Sequence, residues 1–155
     1  RLEPELNLPA TTHIRHEAAA DRRLPVEHAK VVVAGGRGMG GAEGFALLQE
    51  LAARLGGALG GSLPTVDAGW MPVSHQIGQS GKYVAPELYL AVGISGTAQH
   101  MAGVHPGTRI VAINKDPEAD IFRIAEVGLV ADWQTVLPAL LGQLAADNDE
   151  RRNNP

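Results

Sequence analysis

The sequence predicts an α/β fold, a parallel sheet with helices on both faces, and three observations carry that reading. The runs KVVVAGG, LYLAVGI, TRIVAIN and GLVAD are almost continuously apolar, as strands covered on both sides are. Segments with helical spacing alternate with them, the order that produces a parallel sheet. At 155 residues the chain is long enough for one domain with a full core.

Residues 1–29 differ from the rest. Pro4, Pro9 and Pro25, clustered charges and the lack of a sustained period mark a linker or arm, with one short helical turn near Glu17 to Arg22. The folded domain is expected over 30–146. Its strands are predicted near 30–34, 88–94, 109–113 and 128–131, with a weaker one near 58–60. AEGFALLQELAARLGG reads as a helix, with Phe45, Leu48, Leu51 and Leu55 on one face and Gly56–Gly57 at its end. Residues 61–82 read as loop. SGTAQHMAG reads as a short helix opening at Ser95 or Gly96, EADIFRIAE as another helix, and WQTVLPALLGQLAA as the last. Pro138 is expected to displace or kink that last helix. Residues 147–155 read as a polar, frayed tail.

Composition removes several function classes. Only 4% of residues are aromatic against 45% hydrophobic, so the core is built from Ala, Val, Leu and Ile. A net charge of −4 without a basic stripe argues against nucleic acid. The absence of cysteine excludes thiolate catalysis, disulfides and zinc–thiolate sites. No apolar run reaches membrane-spanning length and no signal peptide is visible, so no membrane role is expected. The first residue is Arg1, which reads as the start of a fragment or a processed form.

Gly36-x-Gly38-x-x-Gly41 directly follows the first strand and spells the Rossmann-type dinucleotide fingerprint. A nicotinamide fold also needs an acidic residue about 20 positions on to hold the ribose. That neighbourhood is Gly60, Gly61, Ser62 and Leu63, with no carboxylate. On this loop alone, phosphate binding and a plain tight turn are equal readings, and Arg37 is either a ligand contact or a solvated charge. Gly93 to His100 also follows a strand and opens a helix, where free amides favour an anion; Ser95 as a simple cap is the alternative. His75 to Glu87 is polar, glycine-rich and long for a connection; Gln79 and Ser80 stand out, while Lys82 reads as solvated. Asn114 and Asp132 end strands, where turn formation competes with ligand binding.

Together VVVAGGRGMGG, VDAGW, GQSGKYVAPELYLAVGISGTAQHMAG, IVAINKDPEADIF and GLVAD resemble the C-terminal, FAD-binding domain of electron-transfer flavoprotein α subunits. The resemblance covers Lys30 to Leu144; the family's N-terminal α domain and separate β subunit have no counterpart in it. It implies a Rossmann-like, DHS-like NAD/FAD-binding fold and FAD as cofactor. It implies that Arg37 and Ser62 lie on the FAD. Ile77, Gly78, Gln79 and Ser80 would line the flavin and its ribityl chain, Ser80 standing where the family commonly has threonine. Ser95, Gly96, Thr97, Ala98, Gln99 and His100 would wrap the pyrophosphate and reach the ring, with His100 near the flavin carbonyl O2. Asn114, Asp132 and Trp133 would hold the adenosine end. The family usually has Ser-Arg where this chain has Ser62-Leu63, so a cation beside the isoalloxazine is missing; a protonated His100 would supply part of it.

The function so implied is electron carriage from dehydrogenases, such as the acyl-CoA dehydrogenases of fatty acid β-oxidation, to a quinone-linked oxidoreductase. The partner would be the β subunit in a heterodimer. No nucleophile–base pair or carboxylate dyad is required, and neither a catalytic residue nor a metal site is expected. The location implied is the bacterial cytoplasm rather than the mitochondrial matrix. The alternative is an isolated nucleotide-binding or interaction module that holds FAD weakly or not at all. A fragment lacking its partner domains is expected to expose an apolar patch and to homodimerise.

Overall fold

The computed structural model describes residues 23–154. The helical turn expected near Glu17 lies outside the described residues.

Five strands, β1 Val31–Gly35, β2 Ala58–Gly61, β3 Leu88–Val92, β4 Arg109–Asn114 and β5 Val127–Val130, form one all-parallel sheet in the order β2-β1-β3-β4-β5. The chain leaves β1 for one side of the sheet and then resumes on the other side with β3. The loops after β1 and β3 therefore diverge from adjacent strands, the place where open parallel sheets bind ligands.

The α-helices are α1 Gly44–Arg54, α2 Leu63–Asp67, α3 Ala98–Met101 and α4 Trp133–Asn153. The strands' alternation sorts the core into two layers. Val33, Leu90, Val92 and Ile113 point to one side and meet Leu48 and Leu51 of α1 and Leu137 and Leu141 of α4. Val32, Ala34, Tyr89, Ala91 and Ala112 point to the other and meet Ile77, Val84, Val104 and Ile121. Both faces are covered, but unequally. The second is roofed by α3, by 3-10 turns at Val26–His28 and Asp120–Arg123, and by the segment around Ile77 to Val84. The helix predicted for EADIFRIAE is thus only a 3-10 turn, a single tight coil over Asp120–Arg123.

Local chemistry sets the boundaries. Helix α1 ends in a Schellman motif: Gly56, at φ +67°, donates to Ala53 O at 3.2 Å and Gly57 donates to Ala52 O at 2.8 Å. Only a residue without Cβ takes that left-handed turn cheaply. Asp132 caps α4, its carboxylate accepting from Gln134 N at 3.0 Å. Pro138 sits one and a half turns in and does not displace the helix start. The helix continues to Asn153, so residues 147–153, expected to be frayed, are helical. At the other end Val26 and Ala29 are buried in the core, so packing reaches N-terminally past the expected start at residue 30. The stretch 61–82, expected as loop, holds α2 and a 3-10 turn at Val73–His75.

Candidate functional site

The two loops at the switch point are packed glycine on glycine. Gly36 N donates to Val92 O and Gly38 N donates to Gly93 O, each at 2.9 Å. A Cβ on Gly36 would stand 2.3 Å from Gly93 O, and one on Gly38 would stand 2.9 Å from Gly93 Cα. The fingerprint glycines thus let two backbones touch. Gly41, the third of them, differs: a methyl group there would meet nothing within 4 Å. The missing ribose carboxylate and this use of the glycines both set the loop apart from a nicotinamide site.

Beside this junction, at the strand C-termini, lies a groove of about 510 Å³. Arg37 comes to it from the first loop, Ser62 and Leu63 from the end of β2, Ile77 to Ser80 from the long connection, and Ser95, Thr97, Gln99 and His100 from the turn after β3. Asn114 reaches it from β4. Asp132 and Trp133 line a second cavity of about 200 Å³ that shares Gly38, Gly93 and Asn114 with the first. Gly96 and Ala98 line neither. Gly96, at φ +86°, instead packs under Ile121, where a Cβ would be 2.5 Å from the Ile121 nitrogen.

The groove's electrostatics are simple. Among the described residues, Arg37 is the one formally charged side chain lining it; it is exposed and has no ion pair. No carboxylate of the described residues lines it. The successive amides of Ser95, Gly96 and Thr97 donate to no protein group among the described residues. These donors come from a turn more than from a helix end. Helix α3 has four residues and opens at Ala98, not at Ser95 or Gly96, and Thr97 rather than Ser95 caps it, with Oγ1 accepting from His100 N at 3.4 Å.

Several candidates have structural duties as well. Asn114 Nδ2 donates to Ile94 O at 3.0 Å and its Oδ1 accepts from Asp116 N at 3.0 Å, so it ties the turn after β3 to the turn after β4. Trp133 lies over Gly44, where a Cβ would meet its ring at 2.9 Å. Ile77 is 1% exposed and fills the space above Gly60. Lys82, read as solvated, pairs with Glu27 at 3.0 Å. His75, which precedes the groove-lining Gln76 in the chain, is buried, its Nδ1 2.6 Å from Leu59 O.

Gln76 escaped the sequence reading. It is 4% exposed, lines the groove, and its Nε2 donates to Ser80 Oγ at 3.0 Å. Ser80 accepts there, which leaves its own hydroxyl proton to donate elsewhere. A glutamine spaced four residues from a serine, within a polar stretch, was the available signal.

His100 is 6% exposed, and its Nε2 lies 2.7 Å from the hydroxyl of Tyr89, which is fully buried. Burial pushes the His100 pKa down to about 4, partly opposed by the Ile77 backbone, and pushes the Tyr89 hydroxyl up. His100 is therefore neutral near pH 7, and the protonated form expected to replace the missing arginine is not the resting one. Its Nδ1 is buried without a hydrogen bond.

The family model described as the electron transfer flavoprotein FAD-binding domain matches residues 25–105, more than half of the chain. The chain belongs to this family. It is 53% identical over 131 residues to the electron transfer flavoprotein subunit alpha of Paracoccus denitrificans, a match covering 84% of this chain and 42% of that one. The mitochondrial subunit alpha of Dictyostelium discoideum is 54% identical over 124 residues, covering 80% and 35%. Protein FixB of Clostridium saccharobutylicum is 49% identical over 120 residues, covering 77% and 36%. The chain thus spans well under half the length of these relatives. Among the described residues no helix is long and apolar enough to cross a membrane, and no cluster of His, Cys, Asp or Glu is arranged to hold a metal ion.

For this flavin-binding family the groove's donor set can be tested against FAD. A dinucleotide presents a diphosphate and a ring edged with carbonyl oxygens. The exposed guanidinium of Arg37 and the unpaired amides at 95–97 fit the first. The Ser80 proton and the unpaired His100 Nδ1 fit the second. The residues present fit the group.

Proposed function

We propose that this chain is the FAD-binding domain of an electron-transfer flavoprotein α subunit. One observation carries the reading: a groove at the switch point whose described residues offer a single free cation, the free amides of Ser95 and Thr97 and no carboxylate. When bound, FAD supplies the electron-accepting and electron-donating chemistry, and the protein supplies position and electrostatics. Arg37 and the 95–97 turn would hold the diphosphate. Gln76 orients Ser80 toward the flavin ring, and His100 offers a neutral donor from a dry wall. Asn114, with Asp132 and Trp133 in the adjoining cavity, would hold the adenosine end.

On this reading the whole protein pairs with a β subunit. It passes electrons from dehydrogenases, of which acyl-CoA dehydrogenases are the expected type, to a quinone-linked oxidoreductase. Its compartment is the bacterial cytoplasm, although the matched relatives include both bacterial and mitochondrial proteins. The isolated domain is expected to dimerise. Ile124, Val127, Leu129 and Val130, at and beside the free sheet edge, are each 45–55% exposed, the apolar patch that a domain without its neighbours would carry.

The test is titration of the chain with FAD, followed by desalting and an absorption spectrum. A yellow protein with one flavin per chain is the expected result. A colourless protein that binds ADP or AMP but no FAD would overturn the reading in favour of a nucleotide-binding module.

A further inference from the structure

Tyr89 lies in the middle of β3 with no exposed surface, and its hydroxyl needs a partner there. The partner is His100 Nε2 at 2.7 Å. Proton bookkeeping decides the direction of that bond. If Nε2 carried hydrogen and donated, the tyrosine proton would be buried with no acceptor, and the Nδ1 lone pair would be buried without a donor. If the tyrosine donates, its proton is satisfied and Nδ1 carries the hydrogen. The Ile77 backbone raises the ring's affinity for a proton without closing a hydrogen bond to Nδ1. One group then remains unmet, the Nδ1–H, in a residue that lines the groove.

We propose that Tyr89 is a positioning residue: by donating to Nε2 it fixes His100 in the Nδ1–H tautomer, so that the groove meets a carbonyl oxygen of the bound ring with a donor rather than a lone pair. The ligand half of this rests on the FAD reading above; the tautomer half rests on the buried pair alone. A tyrosine suits the task because its hydroxyl, desolvated by the core, keeps its proton and cannot become an anion that would draw the imidazole into the charged state. Phenylalanine would fill the same space and leave both tautomers open.

The test uses the 155-residue chain with ¹⁵N-labelled histidine, as wild type and as Tyr89→Phe. Long-range ¹H–¹⁵N spectra at pH 7 identify which ring nitrogen of His100 carries hydrogen. FAD affinity of both proteins is then measured by flavin fluorescence, with thermal unfolding as a control for packing. The expected result is an unprotonated Nε2 and a protonated Nδ1 in the ligand-free wild type. Tyr89→Phe should show a tautomer mixture and bind FAD about five- to thirtyfold more weakly, the scale of one lost hydrogen bond. A protonated Nε2 in the wild type overturns the proposal without any variant. The expected tautomer combined with unchanged FAD affinity in Tyr89→Phe overturns the positioning role. If the wild type itself takes up no FAD, the reading of the groove fails, and the ligand half of the proposal fails with it.

Discussion

Replacing Gly36 with alanine tests whether the glycine loop serves packing. The backbone there is extended, at φ −114°, so alanine meets no conformational penalty. The obstacle is space. The new methyl would lie 2.3 Å from Gly93 O and 2.8 Å from Ile94 Cα, whereas ordinary contact begins at 3.4 Å. The two loops must part by about 1 Å, the difference between those distances. That separation strains or breaks the 2.9 Å bonds Gly36 N to Val92 O and Gly38 N to Gly93 O. Overpacking costs roughly 1–3 kcal/mol and each weakened backbone bond about 1 kcal/mol. The restricted unfolded chain returns about 0.4–1 kcal/mol. The net loss is about 2–4 kcal/mol, a fall of roughly 5–15 °C in Tm for a domain of this size. Gly41→Ala is the control, because nothing lies within 4 Å of its methyl position. Urea unfolding of the three proteins measures the difference. A Gly36→Ala stability within about 0.5 kcal/mol of wild type, the scale of ordinary surface changes, would refute the packing argument. So would a Gly41→Ala loss of equal size.

Leu63→Arg places a cation at the groove's rim, where Leu63 is 44% exposed. Coulomb attraction to a reduced ring is bounded near 4 kcal/mol and falls to roughly 1–3 kcal/mol with solvent, so spectroelectrochemical titration of the FAD-loaded protein should show a potential raised by roughly 40–130 mV; no change would mean that the side chain points away from the ring. Arg37→Ala should weaken ADP binding roughly three- to tenfold at low salt, with the gap narrowing as salt rises, and equal affinities by calorimetry would remove Arg37 from the diphosphate site. His100 contributes a pH dependence whose sign follows from its depressed pKa, about 4 folded against 6.5 ordinarily. The unfolded chain binds the extra proton, so this stability is complete above pH 6.5 and drains away as pH falls toward 4, by at most about 3 kcal/mol. His100→Gln should flatten that part of the urea-midpoint profile, and an unchanged slope would show that His100 protonates freely in the fold. Light scattering should report a dimer of the isolated chain that Leu129→Lys returns to monomer; a monomeric wild type at high concentration would refute the edge-patch argument.

Much of this domain was legible in the order of its residues. Val31–Val33, Leu88–Val92 and Ile110–Ile113 are strands because β-branched and aliphatic runs buried on both faces have few other uses. Helix α1 was legible from Phe45, Leu48 and Leu51 on one face and Gly56 past its end. The residues gathered around the groove were also legible, since they end strands or open the segments that follow. Short-range pattern served poorly at Asp120–Arg123 and Ala98–Met101, where four residues are too few for a helical period. It also failed at the tail: 147–153 is polar all round, yet it continues a helix already nucleated by Asp132 and anchored by Leu137 and Leu141.

Other facts existed only in three dimensions. The sequence determined that a parallel α/β sheet forms, that a glycine-rich turn follows its first strand, and which polar residues stand at the strand ends. It could not say that Gly36 and Gly38 are glycine because another backbone, that of Gly93, lies against them; the contact spans more than fifty residues and depends on β1 and β3 being neighbours. Nor could it say that Tyr89 and His100 share a hydrogen bond, because one belongs to a strand core and the other to a short helix folded back over it. The charge state of His100 follows from that burial, since desolvation is a property of what surrounds a residue in space. Local sequence sets the backbone's preferences, and only the packed chain sets the dielectric and the partners each side chain meets.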